Sequence, residues 1–137
     1  MRARPREENG APGPRRSQLR YYLFLLGRTQ CRETNGIYVL TLSGRLVLGP
    51  ESIGLRTTID NLLSSGAEKI VVGLEHVNSV DSAGIGALIE THRKTKAKGG
   101  RLALAHLGPK LRQALEIARL LTLFETFTTE GEAIASF

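Results

Sequence analysis

The chain is poor in the features that most quickly reveal a function. It holds one cysteine, Cys31, in 137 residues. An internal disulfide is therefore excluded, and a reducing cytoplasm is the expected location. No apolar run approaches the roughly 20 residues needed to span a bilayer, so stable membrane insertion is not expected. Only three histidines are present, His76, His92 and His106. Nothing in their spacing suggests a metal site, and each reads as a surface or packing residue. A chain of this length is enough for one domain and buries about two-thirds of its unfolded surface, so it folds without metal, cofactor or covalent staples.

The body of the chain also lacks net charge. The formal charge is +6, but residues 1–20 carry six arginines against Glu7 and Glu8, and Arg28 adds another cation. Residues 31–137 retain only +1. Basic character belongs to the tail, so direct nucleic-acid binding by the body is not expected. Residues 1–28 read as a disordered basic extension with a short apolar segment, YYLFLL. Arginines before an apolar run resemble the start of a signal peptide. Six apolar residues are short for its core, however, and no A-x-A cleavage site follows. The plainer readings are an extra strand or sequence upstream of the true start, with a membrane or polyanion contact as the alternative.

Regular patterning starts near residue 29. RTQCRE (28–33) predicts a first strand, the Asn35-Gly36 pair a tight turn, and IYVLTLSG (37–44) a second strand. Gly49-Pro50 opens a helix with an inner face of Leu55, Ile59, Leu62 and Leu63, which Gly66 ends. The valine-rich run IVVGL (70–74) predicts a central strand buried on both faces. A second helix follows, with Ile85, Leu88 and Ile89 inward and cations late in its length, where they suit the helix dipole. Gly99-Gly100 stops it. RLALAHL (101–107) is a fourth strand, and Gly108-Pro109 opens a third helix built on Leu111, Leu115 and Ala118. TLFETF (122–127) is a last strand, and Thr129 with Glu132 predicts the capping box of a terminal helix. The order ββαβαβαβα implies an α/β domain whose sheet is mainly parallel, with a hairpin at its start.

The stretch NSVDSAGIGALIE (78–90) asks for an explanation. Glycine in a helix costs about 1 kcal/mol relative to alanine, yet Gly84 and Gly86 stand in the first turn. A dinucleotide fingerprint would need a third glycine where Ile89 stands, and no phosphate-binding lysine follows. A nucleophile elbow would need glycine where Val80 stands. Catalysis is therefore not expected, and weak nucleotide binding is a distant rival. Asp81 or Ser82 suits a helix N-cap, but a cap does not explain the glycines. Their expected benefit is a flat surface around the Ser82 hydroxyl that another protein can approach closely. A phosphate on Ser82 would be tolerated at the positive end of the helix and would still add about −1.5 to −2 charges beside Asp81.

At this corner the sequence resembles a known family. Val80-Asp81-Ser82-Ala83-Gly84-Ile85-Gly86 is similar to the hallmark of the anti-sigma factor antagonists, the bacterial STAS-domain family: a hydrophobic residue, then D-S-[SA]-G-[LI]-G. The early LSGRL (42–46), the paired glycines before the fourth strand and the late LFETF support the resemblance, which spans residues 29–137. It implies a STAS-type single domain that is not an enzyme and needs no cofactor. It further implies an anti-sigma factor partner, often a serine kinase, that phosphorylates Ser82, and a phosphatase that reverses this. The implied partner surface comprises Asp81, Ser82, Ala83, Gly84, Ile85 and Gly86, with Arg45 and Val47 beside them. Those last two depart from the family, in which the second strand is often followed by G-x-[LI]-D with glutamate common at x. Here Gly44-Arg45-Leu46-Val47 replaces acidic positions by a cation and an apolar residue, which implies an altered partner preference. A STAS accessory module, in a stress-signalling complex or on a lipid transporter, is the alternative.

Overall fold

A computed structural model describes residues 30–137. The readings of residues 1–28, and of Thr29 in the first strand, lie outside the described residues. Five strands and four helices follow in the expected order: β1 (Gln30–Thr34), β2 (Ile37–Leu46), α1 (Pro50–Ser64), β3 (Lys69–Val80), α2 (Ser82–Ala97), β4 (Arg101–Ala105), α3 (Pro109–Ile117), β5 (Glu125–Phe127) and α4 (Glu130–Ala135). The sheet order is β1-β2-β3-β4-β5, with β1 antiparallel to β2 and every other pair parallel. The hairpin turns at Asn35 and Gly36, both with positive φ, as the tight turn between β1 and β2 requires.

One face of the sheet carries most of the core. Leu40, Ile70, Val72, Leu102 and Leu104 point to that side and meet Leu55, Ile59 and Leu62 of α1, Leu88 of α2 and Leu115 of α3. The other face is thin. Val39, Val71, Ala103 and Ala105 are covered by Ala133 of the short α4, whose neighbours Phe127, Ile134 and Phe137 complete the layer. Thr129 caps α4 as expected, its Oγ1 accepting from the Glu132 amide at 3.0 Å, but Glu132 Oε1 reaches one residue past a capping box to accept from the Thr128 amide at 3.2 Å. Gly73 is the price of seating α4, since a Cβ there would collide with the Glu130 carboxylate. That carboxylate accepts from Thr41 Oγ1 at 2.8 Å and pairs with Arg32 at 3.2 Å. At the chain end, the Arg101 guanidinium stacks 4.2 Å over the Phe137 ring and binds Glu125 and Ser136.

Several boundaries differ from the sequence expectation. β4 ends at Ala105 rather than Leu107, because His106 takes a left-handed φ of 59°. TLFETF is not one strand. Leu121–Leu123 form a single 3₁₀ turn that sinks Phe124 into the core, leaving only three residues for β5. Ala118 caps α3 from outside the core and is exposed. β3 runs past Leu74 to Val80, paired beyond Gly73 with β2 alone. Cys31 is partly buried, and desolvation pushes its thiol up to about 11, which makes it a packing residue rather than a nucleophile. Among the described residues no helix is long and apolar enough to cross a membrane.

The inner face of α2 is the largest surprise. Its buried residues are Gly84, Ala87, Leu88, Thr91, His92 and Thr95, while Ile85 and Ile89 lie half-buried on its flank. Thr91 and Thr95 satisfy their hydroxyls on the preceding turn, at Leu88 O and Thr91 O. His92 does not. It is 5% exposed, packs edge-on against Phe124, and neither ring nitrogen has a hydrogen-bond partner among the described residues. Burial, with a smaller contribution from Lys96 that Glu125 opposes, holds its pKa below the ordinary value. The folded state therefore keeps His92 neutral while the unfolded chain protonates it, so stability falls as pH drops below about 6.5 and through the lower folded value. Replacing His92 by leucine removes two unsatisfied polar atoms. We expect it to raise stability by about 1 kcal/mol in denaturant melts and to flatten the loss between pH 7 and 5.

Candidate functional site

The site is built where the ends of β2 and β3 meet the start of α2. Leu46 pairs with Val80 at the last register position, and β2 reaches it through irregularities at Thr41/Ser43 and Gly44/Arg45. Gly44 adopts φ +87°, a bulge conformation that explains the glycine of LSGRL. Asp81, not Ser82, is the N-cap of α2, with extended backbone. Its two carboxylate oxygens do different work. Oδ1 accepts from the Gly84 amide at 2.9 Å, the ordinary capping bond, and Oδ2 accepts from the Leu48 amide at 3.0 Å in the β2–α1 loop. These bonds, the Leu48 one foremost, hold the carboxyl below the usual carboxylate range. One side chain thus ties two loops together.

Ser82 is the first residue of α2 and is exposed. With Asp81 supplying the cap, the Ser82 hydroxyl has no hydrogen-bond partner among the described residues. Ala83, Ile85 and Gly86 lie half-buried around it, as does Val47, while Arg45 is exposed across the ladder from Ser79. The expectation that both glycines clear the surface for a partner needs correction. Gly84 is buried, and a Cβ there would collide with the Leu46 carbonyl. Its missing side chain serves close packing of α2 on the end of β2. Gly86 differs: a Cβ would meet only the Arg56 guanidinium, at 3.9 Å. Nothing internal demands glycine there.

Sequence reasoning missed two residues of this surface. Leu48 is 78% exposed and Ile53 57%, one on the loop that Asp81 ties down and the other in the first turn of α1. A leucine in a Gly-Pro turn was the available signal. Behind them an ion-pair ladder joins the two helices: Arg56 to Glu90 at 2.5 Å, and Lys94 to both Asp60 at 3.1 Å and Glu90 at 3.4 Å. Arg56 first, then Lys94, draws the Glu90 pKa down. His76 and His106 stand on either side of Glu75 at 3.8 and 3.7 Å, away from this corner in sequence. No cluster among the described residues has metal-binding geometry.

The ββαβαβαβα domain that carries this corner is what known proteins share with the chain. A model of the STAS domain covers residues 28–133. The chain belongs to the STAS domain family. The chain is 24% identical over 100 residues to the anti-sigma F factor antagonist of Paenibacillus polymyxa, across 72% of this chain and 85% of that one. Among solved structures, a candidate anti-sigma factor antagonist of Thermotoga maritima superimposes with a TM-score of 0.74 at 20% identity, covering 82% of this chain and 96% of that one. SpoIIAA of Bacillus in its phosphorylated form aligns with a TM-score of 0.65 at 26% identity, over 79% and 97% of the two chains. The same protein has also been solved unphosphorylated.

Two predictions separate the roles of these STAS residues. Gly84→Ala should destabilise the fold by about 1–3 kcal/mol despite its better helix propensity, because the added methyl strikes backbone. Gly86→Ala should stabilise it by about 0.5–1 kcal/mol. Paired denaturant melts test both. Asp81→Asn keeps an oxygen for Gly84 but sets an NH₂ group against the Leu48 amide. Hydrogen exchange should therefore speed up at Leu48 while Gly84 stays protected.

Proposed function

We propose that this STAS protein is an anti-sigma factor antagonist that works by partner switching in the cytoplasm. In its unmodified form it binds an anti-sigma factor that is also a serine kinase. Phosphorylation of Ser82 releases that partner, and a protein phosphatase restores binding. The observation that carries this reading is the Ser82 hydroxyl, exposed and uncommitted because Asp81 alone supplies the cap. The relatives named as anti-sigma factor antagonists, and the existence of SpoIIAA in both phosphorylated and unphosphorylated forms, support it.

The energetics suit a switch that acts on the interface and spares the fold. A phosphate at the first residue of a 16-residue helix gains from the helix dipole, so the domain stays folded. The same charge lands beside the Asp81 carboxylate and within a surface that includes exposed Leu48 and Ile53. A docked partner would have to desolvate about two negative charges against an apolar patch. A loss of about 3 kcal/mol weakens binding more than 100-fold. Partner selection follows Arg45 near the end of β2: exposed, it favours an acidic group on the partner.

Mass spectrometry of the protein from its own host, across growth conditions, should find phosphate on Ser82. Ser82→Asp should keep the melting profile and abolish capture of the anti-sigma factor, and Ser82→Ala should capture it under every condition. A Ser82→Asp protein that captures it as tightly as wild type would refute the switch. A Ser82 never modified would favour an accessory-module role for the domain.

A further inference from the structure

The second half of β3 lines a groove with no role so far. Beyond the last pairing with β4, Gly73 to Ala105, β3 continues to Val80 bonded, among the described residues, to β2 on one side only. On its other side lies α3, and a cavity of about 580 Å³ separates them. Leu74, Val77 and Val80 of the strand face Leu111 and Ala114 of the helix across it. Among the described residues no backbone bond crosses from the connection 106–108 to residues 76–80.

We propose that this groove binds an extended peptide of another protein, which adds to β3 as a further strand. The chemistry of each wall selects that occupant. In a parallel sheet the backbone N–H and C=O of alternate residues point to the same side, so the outer edge of residues 76–80 offers a row of donors and acceptors at strand spacing. A helix has no free backbone to meet them, and a compact ligand meets at most one pair. An extended chain meets them all, as in other cases of strand addition beside a helix. The apolar walls then take every second side chain. The one charged lining residue, Lys110, is exposed and has no carboxylate within ion-pair distance among the described residues. It calls for an acidic residue on the peptide. The groove ends at Val80, next to Asp81, but the proposal does not depend on Ser82 being modified.

The test uses the full-length, ¹⁵N-labelled protein and the capped peptide Val-Glu-Val-Glu-Val. Titration should shift and slow the exchange of amides in 76–80 and shift those of 110–114. The same peptide with proline at both its second and third positions loses a donor facing β3 in either register and should bind about tenfold more weakly. Lys110→Glu should weaken the parent peptide by a similar factor, and Ala114→Trp, which fills the groove from the helix side, should abolish binding in a protein that still melts cooperatively. Shifts confined to Leu48 and Gly84, equal binding of the proline peptide, or no shift at millimolar peptide would each overturn the proposal. Loss of the Ser82 switch would leave these results unchanged, so the two readings fail separately.

Discussion

Everything at the candidate site depends on where the Asp81 carboxylate places its two oxygens. One oxygen starts α2 and the other holds the β2–α1 loop, so the exposed loop and the exposed helix start are tied to one side chain. The Leu46 carbonyl lies in the same contact, with α2 pressed so closely against it that only glycine fits at position 84. Two elements remote in sequence are thus joined at one corner, with Leu46, Ala87 and Leu88 of the main core beneath it. Rigidity matters because a docking surface made of loops otherwise loses affinity to ordering entropy. It also frees Ser82: a serine used as the cap would have its hydroxyl engaged, and phosphorylation would then cost the helix its start.

The lopsided layering of the fold explains why functional surface collects at one end. Three helices fill one face of the sheet, and the six-residue α4 covers the other through Ala133 and the Glu130 contact over Gly73. β1 and β4 pair with only the first halves of β2 and β3. The second halves project as a two-stranded ribbon. Its tip carries Arg45, Asp81 and Ser82, and its flank lines the groove against α3. Polar and apolar groups that a complete sheet would bury therefore stay uncovered among the described residues.

Local chemistry made much of this architecture readable. Asn35-Gly36, Gly49-Pro50, Gly99-Gly100 and Gly108-Pro109 each mark a true element boundary, because glycine and proline act through their own backbone restrictions. The five-residue run from Ile70 to Leu74 is buried on both faces, as its composition implies. Errors arose where a residue's role depends on a distant neighbour. His106 ends β4 by a backbone turn that no glycine announces. Phe124 is drawn inward by the core, which converts half of a strand-like run into a 3₁₀ turn. The inner face of α2 is small and polar apart from Leu88 because the helix lies close to the sheet, so large apolar residues mark Leu88 correctly while Ile85 and Ile89 lie on the flank.

Sequence alone determined the order of elements, the sheet's mixed character, the family and the corner at Asp81-Ser82, because each rests on short-range backbone preference or on a contiguous motif. Tertiary structure alone decided what the two glycines are for. Position 84 is closed by the carbonyl of a residue 38 places earlier in the chain, and position 86 is open. It also decided that Leu48 and Ile53 stand exposed beside the serine's loop, and that β3 outruns β4 by seven residues. Each of these is a statement about space between segments far apart in sequence, and no local pattern encodes the distance between two strands' ends.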